Sequence, residues 1–229
     1  MSRVRPNPID RQTAAAHDQE AGGCLSFYLL PPLSVLLVGL MIALLVFNVP
    51  IRQAPPQLGG PSASNQLASL FTPEVQYWNL SILRWSGTTN LDPNLVATVM
   101  QIESCGDAFA RSSAGALGLF QVMPFHFAST DNPFDPDTNA RRGLMYLRQV
   151  FDASDHNVSW SLAAYNGGPA LIGLNTGRWP AETVRYVYWG SGIYADAAQR
   201  RTSSPHLQEW LTAAGAGLCR RAHQQLGLP

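Results

Sequence analysis

The sequence predicts an all-α domain set behind an N-terminal transmembrane helix. Three observations carry this. No segment shows sustained period-two alternation of apolar and polar residues. Several segments instead place apolar residues at helical spacing behind good capping residues. Finally, residues 21–51 contain no charged side chain, and Leu33 to Val49 is almost continuously apolar.

The membrane element comes first. As a helix rising about 1.5 Å per residue, Leu25 to Val49 crosses a hydrocarbon core of roughly 30 Å. Pro31 and Pro32 suit a helix start, which leaves a shorter span from near Leu33. A cleaved signal peptide fits less well, because a long polar stretch precedes the run and no small-x-small site adjoins it. Ala21-Gly22-Gly23-Cys24 is only faintly like a lipoprotein cleavage site, since the apolar run follows the cysteine. A buried core helix is the third option, and a retained anchor over residues 25–51 is the expectation. Arg3, Arg5 and Arg11 precede it and only Arg52 follows closely. Positive residues stay on the cytoplasmic side, so residues 1–24 are expected in the cytoplasm and the rest outside, at the cell membrane.

Residues 52–71, with Pro55-Pro56 and Gly59-Gly60-Pro61, read as a linker. The domain is expected over residues 72–201. Pro73 and Glu74 suit a first helical turn, with Val75, Trp78 and Ile82 on one face. Asp92 can cap the next helix and Pro93 takes its first position. Val96, Val99, Met100 and Glu103 then recur at i, i+3, i+4 and i+7, and Gly106 can end the helix. A third helix is expected from about Thr138 to Phe151, with Ala140, Leu144, Leu147 and Phe151 buried. Short helices are expected from Trp160 to Asn166 and from Glu182 to Tyr188. A last one follows Ser204-Pro205 in residues 202–229, with Leu207, Leu211, Ala214 and Leu218 docking it.

Composition excludes several function classes. The 229 residues carry a formal net charge of zero, so no basic field argues for nucleic acid as a partner. The three cysteines form no CxxC, and the five histidines form no HExxH. Neither a Walker loop nor a GxGxxG turn is present. No metal and no cofactor is therefore expected. The predicted orientation puts Cys105 and Cys219 outside the cytoplasm, where disulfides persist, and leaves Cys24 apart from them. A bridge between those two and a pair of buried free thiols both remain open.

Glu103 stands out. It shares the stripe of Val96, Val99 and Met100 and lies in the last turn of its helix, where the dipole disfavours a second negative charge. Partial burial and the dipole both raise a carboxyl pKa, and a carboxylic acid protonated near neutrality can protonate a leaving oxygen. Read alone, the residue equally fits a side chain whose stem lies at the core edge and whose head reaches water. The run Ser112-Ser113-Ala114-Gly115-Ala116-Leu117-Gly118-Leu119-Phe120-Gln121-Val122-Met123-Pro124 suits close backbone approach to a ligand, with Gln121 offering a donor and an acceptor. It equally fits a Gly-rich connector. Ala163-Ala164-Tyr165-Asn166-Gly167-Gly168-Pro169 presents an aromatic hydroxyl and an amide at a helix end, and read alone it fits an ordinary C-cap better than a binding site.

Taken together these segments resemble a known family. Ile102-Glu103-Ser104, the Ser-x-Ala-Gly-Ala-x-Gly-Leu-x-Gln-x-Met-Pro run, Ala164-Tyr165-Asn166-Gly167-Gly168 and Glu182-Thr183-Val184-Arg185-Tyr186-Val187 are similar, in order and spacing, to the soluble-lytic-transglycosylase (SLT) domain. The resemblance covers about Leu91 to Trp189. Phe120 replaces a frequent Met, Ser113 a common Pro, and Cys105 after Glu-Ser is unusual. The resemblance implies a lysozyme-like α fold with Glu103 as the single catalytic acid and Ser112, Gln121, Met123, Tyr165 and Asn166 lining a cleft. It implies peptidoglycan glycan strands as the partner and cleavage with formation of a 1,6-anhydro sugar. A lysozyme-like hydrolase and a non-catalytic glycan-binding module are the alternatives.

Overall fold

A computed structural model describes residues 66–229, and among them all regular structure is helical apart from two isolated β-bridges between residues 111 and 122. The expected anchor, the tail before it and most of the linker lie outside the described residues. Within them, no helix is long and apolar enough to cross a membrane.

The folded body starts ahead of Thr72. Leu67, Leu70 and Phe71 are buried in the core, the Ala68 N–H donates to Asn94 Oδ1 at 2.9 Å, and the Thr72 N–H donates to Gln101 Oε1 at 3.2 Å. Full burial of such a side chain contributes roughly 1.5–3 kcal/mol, which holds these residues to the core. The first predicted helix divides at Trp78 into α1 (Pro73–Tyr77) and α2 (Asn79–Thr89).

Helix α3 (Pro93–Glu103) begins as expected. Asp92 accepts from the Asn94 N–H at 2.7 Å, and Pro93 occupies the first turn. Its surroundings differ from a one-sided stripe, because every residue from Pro93 to Gln101 is buried. A helix covered all round is the centre of a fold. Its polar side chains are satisfied inside: the Thr98 hydroxyl donates to Asn94 O at 2.7 Å, and Gln101 bonds Thr72 and the sulfur of Cys105.

Helix α4 (Pro136–Ala153) is capped by Asp135 and buries Ala140, Gly143, Leu144, Leu147 and Val150; Phe151, expected on this stripe, is only partly buried. Helix α5 (Val158–Gly167) is capped by Asn157. Helix α6 (Ala181–Ala198) continues well past Tyr188, because Gly190 meets α5 at a point where a Cβ would come within 2.9 Å of Leu162 Cδ1. Helix α2 packs on α3 and α4, α3 packs on α6, and α5 lies between α4 and α6.

The C-terminal helix is broken by a π turn. Helix α7 (Pro205–Trp210) passes through Leu211–Gly215 into α8 (Ala216–Leu226). The extra residue shifts the stripe. Leu207, Trp210, Gly215, Cys219 and Ala222 are buried, whereas Ala214, expected to dock, is exposed and Leu211 and Leu218 are half-buried. Helix α8 packs on α1, tied by a Cys105–Cys219 disulfide with Cα atoms 5.0 Å apart and by His223 Nδ1 at 2.9 Å from Glu74 Oε1.

Candidate active site

Glu103 is the last residue of α3, and its position follows from the packing of that helix. Its neighbour Ser104 is buried and closes the helix end: the Ser104 hydroxyl donates to Leu119 O at 2.7 Å and accepts from the Gly106 N–H at 3.1 Å. One short side chain thus ties the helix end to the glycine-rich segment. Gly106, at φ +87°, sits where a Cβ would come 2.8 Å from Glu74 O, so the chain can turn there only as glycine.

The Glu103 carboxyl is half-buried and is met by α6. The Tyr186 hydroxyl donates to Glu103 Oε1 at 2.7 Å. Burial pushes the Glu103 pKa up to about 7; the Tyr186 hydrogen bond opposes this, and the Glu182 carboxylate adds to it. The helix-end field expected from the sequence acts in the same upward direction. Tyr186 itself is held well above the usual tyrosine range by burial and then by Glu103, so it remains a donor. With Oε1 engaged as an acceptor, Oε2 is the atom left to carry a transferable proton.

The glycine-rich segment is shaped by Asn139 of α4. Its amide donates to Leu117 O at 2.8 Å and Pro133 O at 2.9 Å, and its oxygen accepts from the Phe120 N–H at 2.9 Å. Gly118, at φ +73°, lies against that amide with no room for a side chain. The Tyr165 hydroxyl donates to Phe120 O at 2.7 Å, and its pKa is raised by burial and then by the Glu103 charge. Glu103, Tyr165 and Tyr186 therefore share one electrostatic environment.

The remaining expected residues take varied places. Gln121 adopts φ +46° and spends its amide N–H groups on Gly118 O at 2.9 Å and Ala110 O at 3.3 Å. It holds the loop, and only its amide oxygen remains to meet a ligand. Ser112 is exposed, and its hydroxyl accepts from the Ala116 N–H at 2.9 Å within its own turn. The half-buried Met123 leads into a turn of 3₁₀ helix, Pro124–His126. Asn166 accepts from the Thr183 hydroxyl at 2.8 Å, and its NH₂ group makes no hydrogen bond among the described residues. Tyr186 lies within the Glu182-to-Val187 motif, where the sequence assigns it no role. The available signal was a polar aromatic residue in register with Thr183, Val187 and Gly190, all of them buried.

Residues 81–181 match the model of the family described as the transglycosylase SLT domain. Over those residues the chain is similar to the transglycosylase SLT domain. A transglycosylase of Enterobacteria phage PRD1 is 39% identical over 114 residues, covering 49% of this chain and 40% of the phage protein. The soluble lytic murein transglycosylase of Escherichia coli K12 is 29% identical over 101 residues, covering 39% of this chain and 16% of that protein. The chain thus covers less than half the length of either relative. A solved structure of an inactive mutant of the lytic transglycosylase Slt from Pseudomonas aeruginosa aligns at 23% identity and a TM-score of 0.39, over 66% of this chain and 24% of that one.

Away from Glu103, Glu74, Cys105 and Cys219 bring ligand-type atoms within 4.8 Å of one another. The disulfide uses both thiols, and a bridged sulfur is a poor metal ligand compared with a thiolate.

Proposed function

We propose that the chain is a peptidoglycan lytic transglycosylase with Glu103 as its catalytic acid and base. The observation that carries this reading is the placement of the Glu103 carboxyl, hydrogen-bonded by Tyr186 at Oε1 and by no other described residue, where burial pushes its pKa up to about 7. In the neutral form, Oε2–H donates its proton to the oxygen linking N-acetylmuramic acid to N-acetylglucosamine, and that C–O bond breaks. The carboxylate left behind accepts the proton of the muramyl 6-hydroxyl as that oxygen bonds the anomeric carbon. The products are a free hydroxyl on the leaving sugar and a 1,6-anhydro ring, with Glu103 protonated again. Tyr186 supports both halves, since its O–H stabilises the intervening carboxylate without competing for the second oxygen. Asn166, Gln121, Ser112 and Met123 are assigned to the sugar-binding wall. The Cys105–Cys219 bridge supports placement of the domain on the oxidising side of the membrane, and the apolar run at residues 25–51 supports an anchor there.

Water could replace the muramyl hydroxyl, and one observation favours weighing that reading: Glu182 lies close enough to raise the Glu103 pKa. A carboxylate nucleophile would need to stand about 5–5.5 Å from the acid, and one activating water farther off. No hydrogen bond joins Glu182 to the Glu103 site among the described residues, and it is exposed. Digestion of purified peptidoglycan followed by mass spectrometry decides. Fragments lighter by one water than reducing-end sugars are expected, and reducing ends alone would establish the hydrolase.

The pH profile supplies a second check. Activity should fall as pH rises through about 7, because the acid form of Glu103 is lost there. Tyr186→Phe removes the hydrogen bond that lowers this pKa, so the alkaline limb should move to higher pH. Glu182→Gln removes a charge that raises it, so the limb should move the other way. A limb that stays fixed in both variants would mean another group titrates.

A further inference from the structure

We propose that Phe125 and His126 form an additional saccharide subsite at the outer end of an aromatic track leading away from Glu103, taking the apolar face of an N-acetylhexosamine unit. The proposal rests on the glycan-cleaving reading of Glu103. The track is continuous. Tyr165, in the electrostatic field of Glu103, has its ring centroid 5.6 Å from that of Tyr146. Tyr146 lies 5.0 Å from His126, and His126 lies 4.4 Å from Phe125. All three ring pairs are tilted between 36° and 45°.

The two inner rings are fixed by their hydroxyls. Tyr165 donates to Phe120 O at 2.7 Å and Tyr146 to Ala164 O at 3.1 Å. Those groups are spent on backbone, so the rings offer the site their edges and faces. The outer pair is different. Phe125 is 75% exposed, on a turn in which no residue is buried, and contributes little to the core. His126 is half-buried, and its ring makes no hydrogen bond among the described residues.

Phe125 therefore presents a free aromatic face to solvent at the end of this series of rings. The electron-rich face of an aromatic ring attracts the positively polarised C–H groups on one face of a pyranose, and it buries apolar area from both. The neighbouring imidazole can bond a hydroxyl or acetamido group, which fits a polar polymer with apolar faces. A flat aromatic turn next to Met123-Pro124 also explains why the segment keeps Phe and His at its surface where small polar residues would serve a plain turn.

The test uses the full chain carrying Glu103→Gln, titrated with N-acetylglucosamine oligomers of increasing length. Affinity is expected to rise with length. Phe125→Ala should lower binding of the longest oligomers by roughly fivefold to tenfold and leave the shortest unchanged. Phe125→Tyr should restore the loss, and Phe125→Leu, which keeps apolar bulk without a ring, should not. On peptidoglycan, Phe125→Ala in the otherwise native chain should raise KM with kcat retained. Equal affinity of Phe125→Ala and its parent at every length would overturn the subsite, as would a parent that binds no oligomer. Length-dependent binding lost in Phe125→Ala, alongside a native chain that leaves peptidoglycan intact, would overturn the lytic reading and keep the subsite.

Discussion

Glu103→Gln is expected to lower the lytic rate by about 10²–10⁴, the usual contribution of a positioned acid–base group, without unfolding the protein. Gln keeps the shape and can still accept from Tyr186, so the packing of α3 on α6 persists. It cannot deliver a proton to the glycosidic oxygen. The stability of this variant carries a sign of its own. Burial raises the folded-state pKa from 4.5 to about 7, so as pH rises through that window the unfolded chain loses its proton first and gains relative stability. The native protein is therefore expected to lose this increment between about pH 4.5 and 7, and Glu103→Gln is not. The variant's thermal midpoint should equal or exceed the native one at pH 8. Peptidoglycan turbidity loss and calorimetry on the same samples measure both. A folded variant with near-native turnover would remove Glu103 from the mechanism.

The second large effect belongs to the Cys105–Cys219 bridge. It closes a loop with a sequence separation of 114. The chain-entropy estimate for a loop of about 100 residues is roughly 4–5 kcal/mol, an upper figure for the loss on removing it. Cys105→Ala with Cys219→Ala should lower the denaturant midpoint substantially. Activity of the remaining folded fraction should persist, because Glu103 is held by Tyr186 and Ser104 is tied to Leu119 independently of the bridge. Reductant should do the same to the native protein and nothing to the double variant. Peptide mapping without reduction, on protein exported by its own route, should recover the two cysteines in one linked peptide. Both thiols free to alkylation in the untreated folded protein would end this account, and α8 would then rest on its His223–Glu74 contact and packing alone.

Much of this protein is determined locally, and that part was legible in the sequence. Asp92 and Pro93 set the start of α3 because a side chain two residues away satisfies one of the first free N–H groups, whereas α4 starts at Pro136 behind Asp135, ahead of the expected Thr138. The stripe carrying Glu103 marked a carboxyl at a core edge because helical spacing fixes which residues share a face. Tertiary structure decided whatever depends on partners distant in sequence. Leu67, Leu70 and Phe71 look like linker until α3 and its neighbours bury them. The π turn at Leu211–Gly215 exchanged Ala214 for Gly215 at the interface, since one extra residue rotates everything after it. Of two equally open states for the cysteines, the docking of α8 selected the bridge. Gln121 spends its amide N–H groups on its own loop and leaves only its oxygen for a sugar, while Tyr186, 83 residues from Glu103, became the donor to its carboxyl. Spacing along a chain reports neighbours within one helix; a hydrogen bond between two helices depends on how their faces meet, and only the packed core sets that.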